Sequence, residues 1–138
     1  MLIMFYTLIM FNSIWYDSLT KPFLNPPAEI FSPVWIILYA TILIALIVYT
    51  IKIARKSKFL GYVYFVAQMV LNLIWSPVFF YFHNIGLALI VIILLDIAVF
   101  MNIKEFYSVS KISGIILIPY FIWILFATYL NISFFVLN

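Results

Sequence analysis

Apolar residues run along this chain in long unbroken blocks, separated by short polar breaks. Four blocks stand out, at residues 34–51, 60–82, 85–103 and 112–137. A helix needs about 20 residues to cross about 30 Å of hydrocarbon, and each block meets or nears that length. A spanning segment has no water for stray backbone groups, so it must be a helix or part of a closed barrel. Continuous runs, rather than a two-residue alternation, select helices. The opening block, residues 1–14, is shorter, about 21 Å long as a helix. It has neither the basic start nor the small-residue cleavage site of a signal peptide. It reads as a further spanning helix extended to about Tyr16, either clipped at its N-terminus or accommodated by local thinning of the bilayer. The pattern therefore predicts an all-α integral membrane protein, a five-transmembrane-helix bundle forming a single domain over 1–138. Its helices lie at about 1–16, 34–51, 60–82, 85–103 and 112–137, with a loop over 17–33.

Composition agrees: 69% of the 138 residues are hydrophobic and 8% are charged, against about 25% charged in soluble domains. With no cysteine, disulfides, a thiolate nucleophile and Cys-ligated metals are excluded. The placement of charge says more than its sum of +3. Lys52, Arg55, Lys56 and Lys58 fall in one polar break, and Lys104 and Lys111 flank another. The opposite breaks hold Lys21 beside Asp17 and Glu29, and His83 alone. Basic residues concentrate on the cytoplasmic side, which places the N-terminus inside and the C-terminus outside, most simply in a bacterial cell membrane. Topology and lipid headgroups account for these charges; no nucleic-acid partner is expected.

Rise per residue converts position into depth. Trp35 and Tyr39 lie within about 10 Å of the outer end of their helix. Trp75 lies about 10 Å, and Asn72 about 15 Å, from the outer end of theirs. Trp123, Ala127 and Asn131 fall toward the outer half of the last block. Gln68, Asn72, Trp75 and Phe79 are spaced i, i+4, i+7, i+11, one stripe of a helix. Pro119, Trp123, Ala127 and Asn131, spaced by four, form a second stripe that drifts slowly round its helix. Amides in hydrocarbon need partners, so Asn72 and Asn131 are expected to face the bundle interior. Trp15 fits an interfacial belt. Trp123 is too deep for one and, with Trp75 and Asn72, fits an apolar pocket carrying a few polar groups.

Asp96, near the midplane of its block, is the one acid inside a span. It reads chiefly as a protonated carboxyl bonded to a neighbouring helix, with proton coupling of an exporter as the sharper alternative. His83, beside Asn84 and Gly86, reads as a turn residue rather than a metal or haem ligand. There is no Ser/His/Asp set, no HExxH and no phosphate-binding glycine loop. No cofactor, resident metal or conventional catalytic residue is expected.

The segments WYDSLTKPFLNPP, FSPVWIILY, QMVLNLIWSPVFF, GLAL and PYFIWILFATYLN, in that order, resemble the signature of the TspO/MBR family. That family includes the bacterial tryptophan-rich sensory proteins and the mitochondrial translocator protein. The likeness runs from about Trp15 to Asn131. It implies a five-helix bundle, commonly a homodimer, with a cavity that accepts tetrapyrroles such as protoporphyrin IX and, in some members, isoquinoline drugs and sterols. Members are described as sensors, translocators or slow light-dependent degraders of porphyrin. The resemblance carries pocket roles to Trp35, Tyr39, Asn72, Trp75, Phe79, Trp123 and Ala127. It carries lid roles to Trp15, Lys21, Pro22, Pro26 and Pro27. In a porphyrin-degrading protein Trp35 and Trp123 would be the residues beside the excited ligand.

Three positions depart from the family pattern. Glu29 stands where an aromatic residue is usual, two after the proline pair, and disfavours ligand carboxylates there. ATYLNISFFVLN has no basic residue after its tyrosine, so sterol binding is not expected. The first block lacks the usual small-residue pattern. Prolines with fixed φ and no N–H predict a stiff cover over 17–33, and Pro33 is expected in the first turn of the next helix, where its missing donor is harmless.

Overall fold

The structure, a computed structural model, describes Trp15, residues 18–25 and residues 28–138, with backbone alone over 28–32. The segment 1–14, expected to contribute the first spanning helix, lies outside these residues, as do Pro26 and Pro27 of the expected lid. Among the described residues every regular element is helical. In chain order they are α1 (Ala28–Ile51), α2 (Phe59–Ser76) continued by a π-helical turn (Pro77–Tyr81), α3 (Ile85–Val109), α4 (Lys111–Ile116) and α5 (Ile118–Leu137). Together they make four membrane-length spans, Pro33–Ile51, Phe59–Tyr81, Ile85–Val109 and Lys111–Leu137.

Proline explains where the helices depart from the expected boundaries. α1 begins at Ala28, immediately after the Pro26–Pro27 pair in sequence, so Pro33 lies inside the helix and not in its first turn. The Glu29 carbonyl thereby loses its i+4 donor, which membrane helices tolerate. Pro77 coincides with a widened turn, in which the Phe82 N–H returns to the Pro77 carbonyl at 3.0 Å. That widening buries Val78, Phe79 and Phe80 consecutively, which an α-helix presenting one stripe to the core does not do. Pro119 divides the last span at Leu117 into α4 and α5. Its ring cannot accept the carbonyl of the preceding turn.

Buried positions on α1, namely Trp35, Leu38, Ile42, Ala45 and Tyr49, recur every three or four residues and mark its inner face. Its outer face shows Ile36, Ile37, Leu43, Ile44 and Ile47, and α3 likewise shows Ile90, Ile93, Leu94, Ile97 and Phe100. Large apolar surface on every span is stable only against lipid. α2 packs along α3, and α3 along α5, while α1 lies on α4 and α5. Between α1 and α2 the links are largely side chains. Tyr49 stacks on Phe106 at 4.0 Å, donates to the Lys58 carbonyl at 3.0 Å, and lies where a side chain on Gly61 would sit.

The two ends of the bundle are distinct. At one, Lys56 Nζ reaches Glu105 Oε2 at 2.7 Å and Ser108 Oγ at 2.8 Å, joining the two basic breaks. At the other, the segment 18–25 is fastened to α5. Tyr129 Oη donates to the Phe23 carbonyl at 2.7 Å, and the Asn138 amide pairs with both the N–H and the carbonyl of Thr20, at 3.0 and 3.2 Å.

Candidate functional site

At this second end α2, α3 and α5 are locked by a pair of hydrogen bonds to one side-chain amide. Trp75 Nε1 donates to Asn131 Oδ1 at 2.9 Å, and Asn131 Nδ2 donates to the Ile85 carbonyl at 3.1 Å. Asn131 is buried, and its amide is satisfied at both ends, as an amide in hydrocarbon requires. The indole of Trp75 stacks on Phe79 at 5.4 Å, and Phe79 meets Phe80 and Phe134 edge to face. The π-turn is what aims Phe79 and Phe80 inward together.

Deeper in the bundle, Tyr39 of α1 stacks beside Trp35 at 5.5 Å and donates its hydroxyl to Asn72 Oδ1 of α2 at 2.9 Å. Asn72 Nδ2 donates to the Tyr120 hydroxyl of α5 at 2.7 Å, and Tyr120 donates to Gln68 Oε1 at 2.9 Å. Tyr39 is half-buried, whereas Asn72, Tyr120 and Gln68 are buried. A half-buried tyrosine thus heads a line of enclosed polar groups.

Of the seven residues expected to line a pocket, Tyr39 and Asn72 are joined directly, Trp35 flanks Tyr39, and Trp75 and Phe79 form a stacked pair. Trp123 is half-buried and packs on Phe126 of its own helix at 5.6 Å; Ala127, one turn on, is buried. The drift of the stripe by fours on the last helix is large enough to take its first member off the buried face. At about 100° per residue, twelve residues from Pro119 to Asn131 rotate by about 120°, and Pro119 is exposed. The buried face instead runs Tyr120, Ile124, Ala127, Asn131, Phe134. Sequence reasoning missed Tyr120. Its spacing of i, i+4, i+7, i+11 to Asn131 matches the spacing that singled out Gln68 to Phe79, and was the available signal.

The expected lid residues divide. Pro22 is buried and closes a turn, its carbonyl accepting from the Asn25 N–H at 3.2 Å, with Leu24 held at φ 72. A left-handed Leu costs about 1–2 kcal/mol, which the Tyr129 and Asn138 fastenings offset. Lys21 is exposed and donates to the Leu19 carbonyl at 3.2 Å. Trp15 meets Phe79 edge to face at 5.7 Å and stacks on His83 at 4.2 Å with an interplanar angle of 9°. His83 leaves the π-turn with φ 54, as the Asn84 N–H returns to the Val78 carbonyl. It is therefore a turn residue whose ring meets the indole. Trp15, Leu19, His83, Asn84, Phe135 and Asn138 are among the residues lining a cleft of about 730 Å³ at this end. Asp96, half-buried on α3, accepts from Thr128 Oγ1 of α5 at 2.8 Å, an interhelical contact.

Helical in every regular element among the described residues and sheathed in apolar side chains, with buried amides bonded between helices, the chain is an integral membrane protein of the polytopic helical class. Residues 2–137 match the TspO/MBR family, and the chain belongs to it. It is 36% identical to Protein CrtK of Rhodobacter capsulatus over 90% of this chain and 78% of that one. It is 41% identical to the tryptophan-rich protein TspO of Archaeoglobus fulgidus, over 90% and 80% of the two chains. Against the translocator protein of Homo sapiens it is 29% identical, over 85% and 70%.

Proposed function

We propose that this protein binds porphyrin-like tetrapyrroles within the membrane and acts as a sensor or translocator of them. The observation that carries the reading is the juxtaposition of Trp35 stacked beside Tyr39 with the Tyr39–Asn72 hydrogen bond at 2.9 Å. An aromatic wall takes up the face of a flat macrocycle, and a polar group at its edge orients it. Trp75, Phe79, Trp123 and Ala127 extend the wall, and Trp15, Lys21, Pro22, Pro26 and Pro27 form its cover. The relatives' names support the two roles: one from Cereibacter sphaeroides is a tryptophan-rich sensory protein, and the human one a translocator protein.

The reading includes a fifth spanning helix over about 1–16, a homodimer, and a bacterial cell membrane with the basic end cytoplasmic. The clustering of Lys56 with Glu105 and Ser108 at one end supports that orientation. Tryptophan fluorescence of the purified protein titrated with protoporphyrin IX tests the binding role. Quenching should be saturable, and Trp35→Ala, Trp75→Ala and Trp123→Ala should each weaken it. Unchanged affinity in all three variants removes the site.

A further inference from the structure

The line Tyr39–Asn72–Tyr120–Gln68 has a direction. Each hydroxyl carries one hydrogen, and each amide has a donating and an accepting end. Tyr120 spends its hydrogen on Gln68 Oε1, so it can only accept from Asn72 Nδ2. The Asn72 amide is thereby turned with Oδ1 toward Tyr39, whose hydrogen it takes. Tyr39 is the one member that is not fully buried, and in this arrangement its hydroxyl offers an incoming ligand only lone pairs. At the far end Gln68 Nε2 is buried and finds no partner among the described residues.

Turning both amides over reverses every bond without moving a helix, because the oxygen and nitrogen of an amide exchange places at nearly equal volume. Gln68 Nε2 then donates to Tyr120, Tyr120 to Asn72 Oδ1, and Asn72 Nδ2 to Tyr39, leaving the Tyr39 hydrogen available. Both directions make three bonds within the line and leave one Gln68 atom unmatched, but the reversed one also leaves the Tyr39 hydrogen to be taken by a ligand. A ligand that accepts the Tyr39 hydrogen therefore stabilises the reversed direction, and one that donates to Tyr39 holds the first.

We propose that these four side chains form a reversible hydrogen-bond relay, in which Tyr120 and Gln68 are positioning residues that set whether Tyr39 meets a ligand as acceptor or donor. The proposal rests on the reading of Trp35 and Tyr39 as a ligand-facing wall. It assigns the site tolerance for flat aromatic ligands of either polarity: those that present a ring N–H and those that present a carbonyl.

Gln68→Met gives the relay a fixed direction. The Tyr120 hydrogen then has one acceptor left in the line, Asn72 Oδ1, and Tyr39 is held donor-outward. The test uses two flat three-ring probes of similar size, carbazole, which only donates, and fluorenone, which only accepts. Each is titrated against the full chain in nanodiscs by tryptophan fluorescence. Gln68→Met should weaken carbazole about three- to tenfold while fluorenone binds equally or more tightly. Parallel weakening of both, or an unmoved ratio, overturns the relay, and so does failure of both probes to bind the wild type. Should Gln68→Met not fold, Raman difference spectra of the wild type decide. The tyrosine Fermi doublet, which reports whether a phenol donates or accepts, should move in opposite senses with the two probes and not at all in Tyr39→Phe. Movement in the same sense with both probes overturns the proposal. Protoporphyrin binding that depends on Trp35, with a probe ratio indifferent to Gln68, removes the relay alone. A shifted ratio without porphyrin binding removes the porphyrin reading alone.

Discussion

Trp75 and Asn131 meet across the bundle, the indole N–H of α2 donating to the amide oxygen of α5 at 2.9 Å. The same amide holds the first carbonyl of α3, so one side chain joins three helices. Replacing Asn131 by Leu strands a partly buried indole N–H and a carbonyl together. The expected loss is about 1–2 kcal/mol, read as a lowered midpoint of thermal unfolding in detergent. Trp75→Phe, which removes the donor together with part of the ring stacked on Phe79, should also lower the midpoint.

Gly61 and Tyr49 occupy adjoining space at the opposite end, where a Cβ on the glycine would run into the tyrosine ring. Tyr49 is fully buried and stacked on Phe106, so it has little room to yield. Gly61→Ala should destabilise by about 1–3 kcal/mol. The double variant with Tyr49→Phe, which shortens the ring by its hydroxyl, should recover part of the loss; a thermal midpoint for each of the three proteins checks this.

Tyr129 and Phe23 tie the 18–25 segment to α5 at 2.7 Å. Tyr129→Phe removes the donor while keeping the ring, and Leu24 at φ 72 then has less to hold it. Amide exchange of residues 18–25 should quicken several-fold, with exchange in α2 and α3 unchanged. If the segment is a lid, protoporphyrin association and release should both accelerate. An unchanged exchange rate would show that the Asn138 clamp on Thr20 suffices alone.

Asp96 and Thr128 share one hydrogen too few unless the Asp96 carboxyl is protonated and donates to the threonine. The Thr128 hydroxyl lies 2.8 Å from Asp96 Oδ2 and 2.9 Å from the Ile124 carbonyl, yet has one hydrogen to give. An amide at position 96 supplies its own donor to Thr128 and releases that hydrogen for Ile124. Asp96→Asn should therefore fold with stability equal to or above the wild type, measured by thermal unfolding. Porphyrin efflux from vesicles should also be unchanged. A loss of efflux in this variant would support a proton-coupled exporter.

Much of this was legible in the residues themselves. Unbroken apolar runs located the four described spans, because lipid admits little else than helices there. The spacing of Gln68, Asn72, Trp75 and Phe79 identified an inward stripe on α2, where three of the four are buried and Trp75 is half-buried. Spacing was misleading on the last helix, where counting by fours from Pro119 followed a drifting line and passed over Tyr120. It was silent about Pro77, since nothing local distinguishes a proline that kinks a helix from one that widens a turn.

The sequence by itself determined the solvent of this protein, its helical class, its family and the identity of its inward polar residues. Those properties follow from composition and from the period of a single helix. Only the tertiary structure decided which polar groups pair: Trp75 with Asn131, Tyr39 with Asn72, and Asn72 onward through Tyr120 to Gln68. Hydrogen bonds between helices depend on how neighbouring helices are rotated and staggered, and no one helix carries that information.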